Sequence, residues 1–106
     1  METKLTVKER IRLLEVIPEK GNRLMMKAIQ NLNLKVGFSS EELEKFNIKV
    51  NEKGQISWSA DEAVDFSFSD KEIEIIEGGF EAKDKAGLFN LEMIHLEEKL
   101  GLNKIE

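Results

Sequence analysis

The sequence predicts an α+β fold: three N-terminal helices, a three-stranded antiparallel β-meander and two C-terminal helices, in one domain over residues 1–106. Three observations support this prediction. A helix-start signal occurs three times, apolar residues recur with helical spacing in both end regions, and apolar residues alternate with polar ones in the middle. A chain of 106 residues that is 41% hydrophobic can bury one core without further covalent links.

The first helix is predicted over residues 7–17. Thr6 and Glu9 have the spacing of a capping box, in which each side chain binds a backbone N–H at the start of a helix. Pro18 cannot donate a backbone hydrogen bond, so the helix should stop before it. A turn is then expected over residues 19–22.

The second helix is predicted to run to Val36, and Gly37 fits the left-handed position that often ends a helix. Ser39 and Glu42 form a second capping box, which predicts a short third helix over residues 40–46. The side of the second helix that should face the core consists of Leu24, Met25, Ala28, Ile29, Leu32 and Val36.

Residues 46–58 carry the pattern of a β-hairpin, because two alternating apolar runs flank the polar segment 51–54. We expect a four-residue loop, with residues 63–68 as a third strand beside the hairpin. Trp58 is the only tryptophan. We expect it to lie where the N-terminal and C-terminal helices meet.

A third capping box, Ser69 with Glu72, predicts a fourth helix from residue 70 towards Ala86. Two consecutive glycines, Gly78 and Gly79, fall inside this helix, where each costs about 1 kcal/mol relative to alanine. The pair predicts either a kink or the close approach of another backbone segment.

The fifth helix is predicted over residues 91–100, with Asn90 as its cap and the last five residues frayed. Its apolar residues lie on more than one side, which is typical of a central helix or an interface helix. A homo-oligomer formed through this helix is therefore one open prediction. The residues concerned are Phe89, Met93, Leu96 and Leu100 on one face, and Leu91 and Ile94 elsewhere.

The composition argues against most enzyme classes. The chain has no cysteine and one histidine, His95, so thiolate sites and histidine-based metal clusters are excluded within one chain. We predict a protein that is not an enzyme, without catalytic residues, metal or cofactor. The sequence has no signal peptide pattern and no apolar run near ~18 residues, which predicts a cytoplasmic protein without membrane contact.

Charge is distributed unevenly along the chain. Residues 1–38 hold eight Lys and Arg against four Glu, a net charge of +4, whereas residues 39–106 hold eight Lys against seventeen Asp and Glu, a net charge of -9. Two distinct binding faces would explain this difference. Mutual attraction of the two parts would also explain it and requires nothing beyond folding, so we favour attraction.

Two charged stripes are candidate binding surfaces. The acidic ridge consists of Asp70, Glu74, Glu77 and Glu81, which share one side of the predicted fourth helix. The basic face consists of Lys20, Arg23 and Lys27, along one side of the second helix. Either stripe is also explained as an ordinary solvated surface.

Several motifs together resemble small uncharacterised proteins encoded in phages and prophages of Gram-positive bacteria. They are Phe38-Ser-Ser-Glu-Glu-Leu43, Gly54-Gln-Ile-Ser-Trp58, Phe66-Ser-Phe-Ser-Asp-Lys-Glu-Ile73 and Leu96-Glu-Glu-Lys-Leu100. The resemblance implies a cytoplasmic accessory role and identifies no functional residues.

We therefore predict a non-enzymatic binding protein that uses the acidic ridge to engage a basic surface on a protein partner. The alternative is a nucleic-acid-binding regulator that uses the basic face to contact phosphates.

Overall fold

The computed structural model describes residues 1–102, and five helices and four short strands make up 54% and 12% of these residues. The mixed α+β class that the sequence predicts is confirmed. The predicted layout of three helices, a three-stranded meander and two helices is not observed. The elements are β1 (Glu2–Leu5), α1 (Val7–Val16), α2 (Arg23–Val36), α3 (Ser40–Lys45), β2 (Lys49–Val50), β3 (Ile56–Ser57), β4 (Val64–Ser67), α4 (Asp70–Lys85) and α5 (Leu91–Lys99).

The three-stranded meander is wrong because β4 pairs with the N-terminal strand β1 and not with the hairpin. The β1–β4 ladder is antiparallel, with Thr3 opposite Phe66 and Leu5 opposite Val64. Leu5 is fully buried and Phe66 nearly so. Pairing with β1 places both side chains in the main core. The free energy gained by this apolar burial exceeds the extra loop-closure entropy that pairing with a distant strand costs.

The predicted hairpin forms separately as β2 and β3, with Val50 opposite Ile56. Five residues separate the two strands, rather than the four predicted. Asn51 orders this loop because its side chain accepts hydrogen bonds of 2.9 Å from the backbone N–H groups of Lys53 and Gln55.

The expected position of Trp58 is also wrong. The indole is half-buried and packs on a small second core of Val7, Ile11 and Phe46. Val7 and Ile11 belong to α1, and Phe46 is the C-terminal cap of α3. Trp58 therefore packs the hairpin region against the N-terminal helices.

Helix α1 is central and contacts β1, α2, α4 and α5. Its buried side includes Leu13 and Val16, which lie in the main core with Ile76 and Phe80 of α4. One charged residue, Arg10, is also buried on this helix, with 1% of its surface exposed.

All three predicted capping boxes are confirmed. The hydroxyl oxygens of Thr6, Ser39 and Ser69 each accept a hydrogen bond of 3.2 Å from the N–H three residues later. In each box the glutamate carboxylate accepts a hydrogen bond of 2.9–3.1 Å from the backbone N–H of the cap residue. Local sequence alone therefore determines where α1, α3 and α4 begin.

The glycine pair in α4 allows a close backbone approach, and the helix continues through it. A Cβ atom built on Gly79 would lie 2.1 Å from the carbonyl oxygen of Val16, whereas one on Gly78 would meet nothing within 4 Å. Gly79 thus lets α4 contact the end of α1.

Three smaller predictions are wrong. Gly37 ends α2 with extended backbone (φ -64°, ψ 172°) and not in the left-handed region. Leu24, placed on the core side of α2, is 77% exposed. Leu102, expected to fray, is buried and its N–H binds the carbonyl oxygen of Glu97 at 2.8 Å. The rest of that terminal prediction concerns residues 103–106, which lie outside the described residues.

Candidate functional site

Folding brings the positive and negative parts of the chain together, as the favoured interpretation of the charge distribution expects. Lys8 and Arg12 both bind Glu92, Arg10 binds Glu42, and Lys35 binds Glu72. In each pair the cation comes from residues 1–38 and the carboxylate from residues 39–106. Half of the eight cations in the first part are therefore neutralised by the fold itself.

These contacts also change carboxyl ionisation. Hydrogen bonds from Lys8 and Arg12 lower the pKa of Glu92 from its ordinary value. Burial alone would raise the pKa of Glu72, but hydrogen bonds from Lys35 and the Ser69 backbone lower it. Both carboxylates are therefore held in the charged state by their partners.

The basic face remains exposed. Lys20, Arg23 and Lys27 are all solvent-exposed and make no ion pair with any residue in the range 1–102. The placement of Lys20 on the second helix is wrong, because α2 begins at Arg23 and Lys20 lies in the preceding connection. Two leucines lie beside them on the outer side of α2, Leu24 at 77% exposure and Leu34 at 75%. The surface is therefore basic and apolar, a mixture that the sequence prediction missed because it assigned Leu24 to the core.

The acidic ridge divides into two parts. Asp70 and Glu74 are exposed near the start of α4, where Glu74 lies 3.9 Å from the ammonium nitrogen of Lys71. Glu77 and Glu81 lie farther along and line a groove between α4 and the α5 region. Only two of the four carboxylates of the acidic ridge therefore line this groove.

The groove has a volume of about 330 Å³ and an apolar floor. The rings of Phe80 and Phe89 meet there with centroids 5.8 Å apart and planes inclined by 45°. Ile94 and Leu102 complete the floor, and both lie beyond α4 in the chain. We call this site the acidic groove.

Four carboxylates form the rim of the acidic groove, and none of the described residues that line it is basic. Glu77, Glu81 and Asp84 come from successive turns of α4, while Glu97 comes from α5. The sequence prediction included the first two of these carboxylates in the acidic ridge. It missed Glu97 because a helical stripe gives no information about a facing helix.

The turn between α4 and α5 builds the groove. Gly87 has a positive φ of 71°, a conformation that glycine adopts without strain. The Gly87 N–H binds the carbonyl oxygen of Asp84 at 3.1 Å, and the Leu88 N–H binds that of Lys83 at 2.9 Å. Asn90 then caps α5 by accepting a bond of 2.9 Å from the Met93 N–H. This short connection places Phe89 against Phe80.

Helix α5 uses most of its apolar surface inside the molecule. Met93, Leu96 and Leu100 are buried in the main core. Leu91 is largely exposed, and Ile94 faces the acidic groove. Self-association through α5 stays a prediction, with these last two residues as its remaining apolar contacts.

A second cleft, also of about 330 Å³, lies between α1 and the hairpin and is lined in part by Trp58 and Ile56. Its two cations, Lys8 and Arg12, are already engaged by Glu92. Both cations that line this cleft are therefore already paired within the molecule.

Within residues 1–102, no group of three or more His, Cys, Asp and Glu side chains has the arrangement of a metal site. Over the same range, no helix combines the length and the apolar character needed to cross a membrane.

Comparison with known proteins gives no family assignment. No protein-family model matches the chain, and searches of curated proteins and of solved structures give no significant match.

Proposed function

We propose that this chain is a non-enzymatic binding protein whose acidic groove receives a basic, amphipathic segment of a protein partner. The observation that carries the proposal is the combination of an apolar floor with a rim of four carboxylates. An apolar floor favours aliphatic side chains, and a carboxylate rim favours lysine and arginine around them.

The position of the groove between α4 and the α5 region favours a helical segment as its ligand. Grooves between helices commonly bind the apolar side of an amphipathic helix, whose side chains recur every three or four residues. A volume of about 330 Å³ lies at the small end of ligand pockets, so the floor has room for a few side chains and not for a large cofactor.

The outer part of the acidic ridge has a different role in this proposal. Asp70 and Glu74 do not line the groove, but they extend the negative surface along the same helix. Charges at the edge of an interface accelerate encounter more than they strengthen the bound state. We assign them to attraction of the partner, not to its final binding.

A labelled peptide tests the proposal. The probe is a synthetic helical peptide with Lys and Leu at i, i+4 spacing, followed by fluorescence anisotropy against the folded chain. Replacing Glu81 by Gln and Asp84 by Asn should weaken binding about tenfold, since two rim contacts contribute roughly 0.5–1 kcal/mol each. The matched control replaces Asp70 by Asn and Glu74 by Gln, which removes the same charge from α4 outside the groove.

The control should reduce the affinity by less than about threefold, because it removes only long-range attraction. Equal losses in the two variants would show that the peptide responds to net charge and would contradict a groove-specific site. Absence of any peptide binding by the unmodified chain would contradict the proposal directly.

Nucleic-acid binding by the basic face is the second candidate. It is supported by the exposure of Lys20, Arg23 and Lys27 and by the absence of ion pairs to them within residues 1–102. The neighbouring Leu24 and Leu34 argue against it, because phosphate contacts need no exposed leucines. A mobility shift at low salt that is lost in an Arg23→Gln, Lys27→Gln variant would support this candidate.

A phage or prophage origin and a cytoplasmic location stay predictions, since they rest on the motifs and on the composition alone.

A further inference from the structure

The outer side of α2 carries positive charge, whereas the described residues that line the acidic groove include no cation. We use the name α2 stripe for four residues on this side: Arg23, Leu24, Lys27 and Leu34. Both leucines are at least 75% exposed, and neither cation has an ion pair within the described range 1–102. This surface therefore offers both apolar contacts and positive charge to a partner.

The α2 stripe has the form of one side of an amphipathic helix. Residues 23, 27 and 34 are separated by four and seven positions, so they line up along about 17 Å of the helix axis. The opposite side of α2 is buried through Ile29, Leu32 and Val36. The stripe therefore faces away from the core, and no α2 residue lines the acidic groove of its own molecule.

We propose that the α2 stripe of one copy binds in the acidic groove of a second copy, so that the chain self-associates head to tail. The two surfaces are complementary in chemistry. The two leucines of the α2 stripe match the apolar floor of Phe80, Phe89 and Ile94, and its cations match the carboxylate rim. This inference rests on the proposed function, because it names the partner of the same groove.

An interface of this kind joins two different surfaces. After one contact forms, the first copy still has an open groove and the second copy an open stripe. Heterologous contacts of this type continue into open chains unless the rotation closes a ring. Self-association should therefore exceed the dimer as concentration rises, and added salt should reverse it.

Sedimentation velocity with two single-face variants tests this. The stripe variant carries Leu24→Asp and Lys27→Glu, and the groove variant carries Glu81→Gln and Asp84→Asn. Each variant alone should be monomeric at concentrations where the unmodified chain assembles. Mixed in equal amounts, they should form a dimer and nothing larger, because one intact groove and one intact stripe remain.

The control variant carries Glu41→Gln and Glu44→Gln on α3, which removes the same charge as the groove variant on another exposed surface. It should assemble like the unmodified chain. Circular dichroism checks that every variant is folded, and Lys27→Glu alone provides a milder stripe variant if the double substitution unfolds.

An unmodified chain that stays monomeric to millimolar concentration overturns the inference, as does a mixture of the two variants that stays monomeric. Assembly that persists in either single-face variant overturns it too. These outcomes are separable from failure of the proposed function. A monomeric chain that still binds the Lys and Leu peptide in its groove retains that function and loses only the second copy as partner.

Discussion

The guanidinium of Arg10 binds the carboxylate of Glu42 through two hydrogen bonds, 2.6 Å from Nη1 to Oε2 and 3.1 Å from Nη2 to Oε1. The same group donates to the carbonyl oxygens of Val36 at 3.0 Å and Gly37 at 2.6 Å. The Phe38 ring also lies 4.1 Å from the guanidinium carbon. One side chain of α1 therefore joins the end of α2 to the start of α3.

Replacing Arg10 by Met should destabilise the fold by about 3–5 kcal/mol, because it leaves a partly buried carboxylate and two carbonyl groups without their donor. Urea unfolding followed by Trp58 fluorescence measures the change. Arg23→Met is the control, since Arg23 is exposed, and it should stay within about 0.5 kcal/mol of the unmodified chain. Similar losses in both variants would contradict the role given to Arg10.

The Arg10–Glu42 contact also predicts an acid dependence of stability. The hydrogen bond from Arg10 lowers the pKa of Glu42 from 4.5 to about 2. Between these values the unfolded chain takes up a proton at Glu42 that the folded chain does not. The contribution of Glu42 is therefore complete above pH 4.5 and is lost as the pH falls towards 2.

Urea midpoints measured from neutral pH down to about pH 2 test this dependence. The Glu42→Gln variant should be less stable at neutral pH and should lose less stability on acidification. Glu9, Glu72 and Glu92 also have lowered pKa values, so some acid sensitivity should remain. Parallel pH profiles for the two proteins would contradict the assignment.

The two glycines of α4 should respond in opposite directions to alanine. Gly78→Ala should stabilise the fold by roughly 0.5–1 kcal/mol, because a methyl group there meets nothing and alanine favours the helix. Gly79→Ala should destabilise it by about 1–3 kcal/mol, because its methyl group would collide with the Val16 carbonyl oxygen. Thermal melting of the two variants measures both changes, and a shift of the same sign in each would be inconsistent with the described contact of α1 and α4.

The β1–β4 ladder predicts unequal importance of the two small sheets. Leu5→Ala should cost about 2–5 kcal/mol, because Leu5 is fully buried beside Phe66. Val50→Ala in the hairpin is the control, since Val50 is 63% exposed, and it should cost less than about 0.5 kcal/mol. The reverse order of losses, measured by urea unfolding, would favour the hairpin as the central sheet.

The sequence predicted the elements whose cause is local. Each capping box depends on two residues three positions apart, so Thr6, Ser39 and Ser69 located three helix starts correctly. The glycine pair indicated either a kink or a close backbone approach, and the structure has the approach; nothing in the sequence identified Val16 as the contact.

The errors concern long-range pairing. Strand β1 has four residues, and its partner β4 lies about 60 positions away in the chain, so no local pattern marks it. Arg10 was missed for a different reason. It lies three residues after Val7 and three before Leu13, both buried, and this spacing could have identified it as a charge on the core side of the helix.

The acidic groove was predicted only in part, because its residues come from α4 and from the segment that follows it. Helical spacing placed Glu77 and Glu81 on one side of α4, but the groove also needs Phe89 and Ile94 from beyond the turn at Gly87. Which residues of two helices face each other depends on how the connection folds, and one stripe cannot specify it.

Backbone amide chemical shifts, recorded while the Lys and Leu peptide is titrated into the folded chain, test the central claim most directly. At a concentration where the chain is monomeric, the largest changes should occur around the groove, at Phe80, Asp84, Phe89 and Ile94, with little change in α2 or at Trp58. Changes concentrated on α2 or on the hairpin, with the groove amides unmoved, would contradict it.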